Sequence, residues 1–258
     1  MGRELAGSVV ERRRQRRRGR ARRITIDLDP TDDPTHGAQQ LTFVNGFHDT
    51  WCYLPLLAFV TFGREAEQHL CAPVLRSGEA VASEGAVALL SQLLPLLRCA
   101  FPQARFLVRL DSGFATPEVF DFLETCPRLD YVVSMPKNAV LVRHAEPAMR
   151  RARRCSARSG RTEHVFADAR YAAGSWKHQQ RVVIKAEVVR LTGRDPRNNP
   201  RFVVTNMDQP PRSLYERVHC ARGDIENRSK ELLDGLQIDR TSCCRFAANQ
   251  FRILLAAA

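Results

Sequence analysis

Several familiar signals are missing from this sequence, and each absence excludes something. Its 258 residues hold no run of eighteen apolar residues, the minimum for a membrane-spanning helix. The most apolar stretch, Ala86 to Leu97, is broken by Ser91, Gln92 and Pro95. The N-terminus is basic but has no apolar region behind it, so it does not read as a secretory signal. Eight cysteines are present and none forms a CxxC pair. The adjacent Cys243 and Cys244 lack the spacing of zinc ligands. Most cysteines sit among apolar neighbours, so buried free thiols in a reducing cytoplasm are expected. Acid is in deficit: 28 Asp and Glu face 40 Lys and Arg, leaving +12. Hydrophobic residues at 44% and charged residues at 26% exclude collagen-like and wholly disordered chains. The length is ample for a buried core.

The positive surplus is uneven. Residues 1–23 hold ten Arg and two Glu, a net of +8, and the remaining residues carry only +4. The first 23 residues therefore read as a disordered, Arg-rich tail, and residues 24–258 as the folded body. Neutralisation of phosphate by Arg is the commonest use of such a surplus, which makes nucleic acid the first partner to consider.

After Arg22 the pattern becomes ordered. Ile24 to Asp29 alternates apolar and polar, a strand signal, and Leu41 to Phe47 and Trp51 to Phe62 predict two more strands in a meander. Trp51, inside an apolar run, is expected in the core. Ala80 to Arg98 predicts a helix and Arg105 to Leu110 a short strand ending at Asp111. Thr116-Pro117-Glu118 is a helix start, with a capping hydroxyl and Pro at the first turn. A strand is expected over Tyr131 to Ser134 and an Arg-rich helix and loop over Lys137 to Arg161. Strand-like runs follow at 162–171, 181–189 and 201–205. A long amphipathic helix spans about 212–233, and a last helix lies within 241–258.

Acids sit in three places where chemistry is often built. Asp27 and Asp29 share one face of the first strand, opposite Ile24, Ile26 and Leu28. Asp111 stands at the C-terminal end of a later strand, where ligands gather in open α/β sheets. On the long helix His219, Arg222, Glu226 and Lys230 are spaced three, four and four, so they share a face. Two strand-end acids and one helix acid could converge on divalent cations through oxygen ligands. Taken singly, each acid also fits a turn, a cap or a rung of a helix salt-bridge ladder.

The wording around these acids resembles the DDE transposases of bacterial insertion sequences, closest to the subgroup called group one. The resemblance rests on Asp29-Pro30-Thr31, the loop Thr31 to Gly37, Arg109-Leu110-Asp111-Ser112-Gly113, Asn199 to Asn206, and Cys220 to Glu231 with Asp239 to Ser242. It covers nearly everything from Arg22 onward. It implies an α/β, ribonuclease-H-like mixed sheet flanked by helices, with a β-rich insertion over about 139–205. Asp29, Asp111 and Glu226 match the three catalytic and metal-binding acids. Asp29 matches better than Asp27 because the pattern places a Thr two positions later, here Thr31.

The activity implied is metal-dependent hydrolysis of DNA strand ends, followed by transfer of the freed 3′-hydroxyl into target DNA. Two Mg²⁺ or Mn²⁺ ions are the implied cofactors, since carboxylates suit hard cations. Arg222, Lys230, His219 and Arg228 are the implied DNA contacts; His219 stands where the family signature has Tyr. Trp176, in a polar setting, is a further candidate for stacking on bases. The partners expected are the element's terminal inverted repeats and target DNA, with a homodimer holding two ends together, in a bacterial, nucleoid-associated cytoplasmic setting. Relatives usually extend further at both ends, so the chain is expected to be a truncated copy. The alternative reading is an inactive remnant serving only as a basic DNA-binding module.

Overall fold

The computed structural model describes residues 2–63, 65, 67–223, 231, 235 and 238–258. The chain divides into two compact units, the first made of residues 1–109 and 222–258, the second of residues 110–221.

The first unit opens with helix α1 (Gly2–Arg16), where an unstructured tail was expected. Leu5, Ala6, Val9 and Val10 form one apolar stripe and are buried against the strand His69–Val74 and the helix Ala86–Ala100. Not all of the arginines are solvated. Arg13 reaches Nδ1 of His69 at 3.2 Å, and Arg17 donates to the Phe62 carbonyl at 3.1 Å and pairs with Glu65. A stripe of four apolar residues and two anchored arginines is what the charge count concealed.

Strand β1 (Arg23–Pro30) is the centre of this unit. Strands β2 (Asp33–Pro34), β3 (Phe43–Asn45) and β4 (Thr50–Tyr53) form a separate small sheet in the order β2-β4-β3. Its hairpin turns on Asn45, whose Oδ1 accepts from the amides of Phe47 and His48. Trp51, expected in the core, is 57% exposed on this sheet. β5 (Leu56–Phe62) pairs antiparallel with β1, and β6 (His69–Val74) pairs antiparallel with β5. The meander is real, but its third strand is β6 rather than a run within 41–53, because Pro55 ends β4 and starts a new strand. Helix α2 (Ala86–Ala100) buries Leu90, Leu93, Leu94 and Leu97, and β7 (Arg105–Leu110) pairs parallel with β1. The sheet is therefore mixed.

The second unit begins with helix α3 (Pro117–Thr125), capped by Thr116, whose hydroxyl accepts from the Val119 amide. Next come β8 (Leu129–Met135), the 21-residue helix α4 (Ala139–Ser159), and strands β9 (Glu163–Tyr171), β10 (Gln180–Val189), β11 (Arg197–Asn198) and β12 (Arg201–Thr205). They pair antiparallel in the order β9-β10-β12-β8, with β11 on the end of β10. The region expected as a β-rich insertion thus begins with a helix, whose apolar face packs on β9 and β10. The long helix expected from 212 is irregular where described: a turn at Pro211–Ser213, a π-helical stretch at Leu214–His219 and a 3-10 turn at Cys220–Arg222.

Cysteine burial is narrower than expected. Cys52 and Cys71 are buried, while Cys99, Cys155, Cys220 and Cys244 are exposed. Among the described residues no helix is long and apolar enough to cross a membrane.

The central strand carries a charge into the core. Asp27 has no exposed surface, and its two oxygens accept from Arg109 Nε at 2.7 Å and Nη2 at 2.6 Å. The residues are register partners on β1 and β7, so the guanidinium fork meets the carboxylate side-on. Breaking a buried pair strands a charge, whereas replacing both partners by apolar groups need not. Arg109→Leu should lose about 3–5 kcal/mol of stability in urea denaturation. Asp27→Leu with Arg109→Leu should recover most of that loss; a double variant as weak as the single would contradict the assignment.

Candidate active site

Asp29 is placed by β1, two residues beyond Asp27 and on the same strand face. There the sheet no longer covers it fully, and its side chain is 14% exposed. Arg222 lies against it: Nη2 donates to Asp29 Oδ1 at 3.0 Å and to the Leu28 carbonyl at 3.3 Å. Residues 193 positions apart in sequence thus form a largely buried ion pair within the first unit. The strand end accommodates a positive charge beside the carboxylate.

Asp111 follows β7 by one residue, in the second unit. Its carboxylate caps the short turn Ser112–Phe114, with Oδ1 accepting from the Gly113 amide at 2.7 Å. Phe114, fully buried, pins that turn. The strand end and the cap role foreseen for Asp111 both hold. Glu226, Arg228 and Lys230 lie outside the described residues.

His219 and Trp176 belong to the second unit. His219 ends the π-helical stretch, shares a hydrogen bond of 2.8 Å between Nε2 and Ser134 Oγ, and stacks near the Tyr215 ring at 4.8 Å. A π-helical stretch often marks a functional position. Trp176 is half-buried, 4.6 Å from the Phe120 ring and 5.3 Å from that of Tyr171. It sits in an aromatic cluster, whereas Trp51 is the exposed indole.

Two partners escaped the sequence reading. One is Arg109, whose signal was a charged residue inside the apolar run Arg105 to Leu110. The other is Asp33, 1% exposed, whose Oδ2 accepts from the Thr241 hydroxyl at 2.7 Å. Thr241 leads into the last described helix, Phe246–Ala256, held by the buried Asn249 through Cys243 and Gln39. Burial pushes the Asp33 carboxyl up to about 7, helped by nearby Asp239 and Asp32 and opposed by the Thr241 hydrogen bond.

A mixed sheet with a carboxylate at the exit of its central strand, and another just past the parallel strand beside it, defines a class of α/β proteins that place acids at strand ends. The chain belongs to the transposase DDE domain group 1 family, whose model matches residues 2–258. α1 falls within that match. It is thus a transposase domain, of a family that acts on DNA in transposition and recombination. Among curated proteins none matches the chain.

Such domains depend on divalent metal. Among the described residues no group of three His, Cys, Asp or Glu side chains is gathered as metal ligands would be. The donors at hand nevertheless fit a hard cation. Asp29, near the end of β1, and Asp111, just past β7, are carboxylate oxygen donors of the kind that hard cations take.

Asp33 makes the stability of this region depend on pH. Its carboxyl titrates well above the ordinary 3.8, so the stability gained from staying protonated is complete below pH 3.8 and is lost as pH rises through 7. Asp33→Asn should be more stable than the native chain at pH 8, by up to about 4 kcal/mol, and close to it at pH 4. Thermal unfolding across that range measures the difference; parallel pH profiles would contradict it.

Proposed function

We propose that this chain is a metal-dependent DNA strand-cleaving and strand-transferring enzyme in which Asp29, Asp111 and Glu226 act together. The observation that carries the reading is the division of labour on β1. Asp27 is used up by Arg109 inside the sheet, and Asp29, two residues on, stands at the strand exit with Arg222 against it. Three further facts support it. Register pairs Asp27 with Arg109, and Asp29 and Asp111 each stand two residues beyond that pair. Glu226 follows Arg222 by four residues. The family is one of transposases.

In this reading the three carboxylates would hold two divalent cations, which would supply an activated oxygen nucleophile and neutralise the leaving oxygen. The chain's own groups do the rest. Asp29 is held in place by β1 and by the Arg222 guanidinium. Asp111 is fixed by the Gly113 amide, so its carboxylate needs little reordering when charge develops. Arg222 and Lys230 supply positive charge for the phosphate at the reacting position. His219, three residues before Arg222 in sequence and hydrogen-bonded to Ser134, provides a further polar ring for DNA.

Hydrolysis breaks a phosphorus–oxygen bond and leaves a 3′-hydroxyl on the element and a phosphate on the flank. That hydroxyl then attacks a phosphodiester of the target, forming one such bond and releasing one 3′-hydroxyl. The number of phosphodiesters is conserved in this second step, so no energy source is needed. Joining two element ends calls for two copies of the chain.

The test is plasmid nicking with the 258-residue chain in Mg²⁺ or Mn²⁺. Nicking should require the metal, and Asp111→Asn should lower it by more than about a hundredfold, beyond the effect of groups that merely support a ligand. Equal and negligible nicking by both proteins would favour a DNA-binding remnant without catalysis.

A further inference from the structure

Helix α4 carries charge that neither the acids nor the packing account for. Its buried stripe, Leu141, Ala145, Ala148, Met149, Ala152 and Ser156, recurs at three- and four-residue intervals and lies on β9 and β10. The opposite side holds Arg143, Arg150, Arg151, Arg154 and Arg158, all exposed. The one acid of the helix, Glu146, is taken by Arg153. None of the five exposed arginines has an ion-pair partner among the described residues.

Arg143, Arg150, Arg154 and Arg158 follow one another by seven, four and four, so they fall on one ridge, with Arg151 beside it. Like charges at four-residue spacing repel and destabilise a helix. The fold bears that strain along the sixteen residues from Arg143 to Arg158 without internal compensation, and a polyanion would relieve it.

We propose that this ridge is a DNA-docking surface in its own right, which grips the phosphate backbone of duplex DNA. The inference rests on DNA being the substrate of the chain. The ridge is about 22 Å long, the axial length of about six base pairs. An interfacial membrane helix needs its apolar face for lipid, and that of α4 is already used against β9 and β10. Surfaces for single strands interleave aromatic rings with basic groups, and residues 139–159 contain no Phe, Tyr or Trp. A duplex backbone is the polyanion that fits.

The experiment measures binding of the 258-residue chain to a labelled 30-base-pair duplex of arbitrary sequence in EDTA, so that cleavage plays no part. Affinity is followed across NaCl concentrations. Neutralising three phosphate contacts should reduce the slope of log affinity against log salt by about three. Arg150→Gln, Arg154→Gln and Arg158→Gln together should produce that drop and weaken binding equally for unrelated sequences. The corresponding triple Arg→Lys variant should keep the native slope. An unchanged slope in the folded Gln variant would overturn the proposal. So would equal loss in the Lys variant, or tighter binding to single-stranded RNA or to phosphatidylserine vesicles than to the duplex. Absence of nicking would count against the catalytic reading alone, because the salt slope does not depend on it.

Discussion

A buried carboxylate in the middle of a sheet constrains everything around it. Asp27 has no contact with solvent and is matched to Arg109 on the parallel neighbour through two short hydrogen bonds. Such a pair adds little net stability compared with apolar residues of the same size. Its force lies in what happens when it is broken. Sliding β1 against β7 by one residue would leave a carboxylate and a guanidinium among Ile26, Leu28 and Val108, without partners. The register of the two strands is therefore tightly held, and Asp29 stands in a fixed place at the exit of β1. In this account the residue that does no chemistry positions the one that does.

The first unit then ties distant chain to that strand exit. Arg222 bonds Asp29 and the Leu28 carbonyl, and Thr241 bonds Asp33 four residues further on. Both contacts are polar, lie at the end of β1 and at β2 just after it, and are made by residues about two hundred positions away. The first leaves Asp29 paired with a guanidinium rather than bare. The second is a neutral latch at low pH, since burial favours protonated Asp33. At the other end of β1, Arg13 of α1 and Arg17 just after it hold the connection between β5 and β6.

How much of this was legible in the sequence depended on whether the information was local. β7 and β12 were read over the residues they occupy, because short apolar runs bounded by turns are local signals. The start of α3 was legible for the same reason: Thr116 and Pro117 encode a cap and a first turn. β6 was missed because Pro73 breaks its pattern, which an edge position in the sheet tolerates. α1 was hidden under its arginines. Trp51 was misplaced because hydrophobic wording does not reveal that its strand belongs to a small separate sheet. The acids Asp29, Asp111 and Glu226 came from motif order. The Asp27–Arg109 and Asp29–Arg222 pairs depend on strand register and long-range folding, which no local pattern encodes.

The central claim is that three carboxylates from different parts of the chain form one cation site. Calorimetric titration of Mn²⁺ into the 258-residue chain, beside Asp29→Asn, Asp111→Asn and Glu226→Gln, addresses it most directly. The account predicts measurable binding to the native chain and a marked loss in each variant. A variant that binds Mn²⁺ as the native chain does would remove that acid from the site and contradict the account.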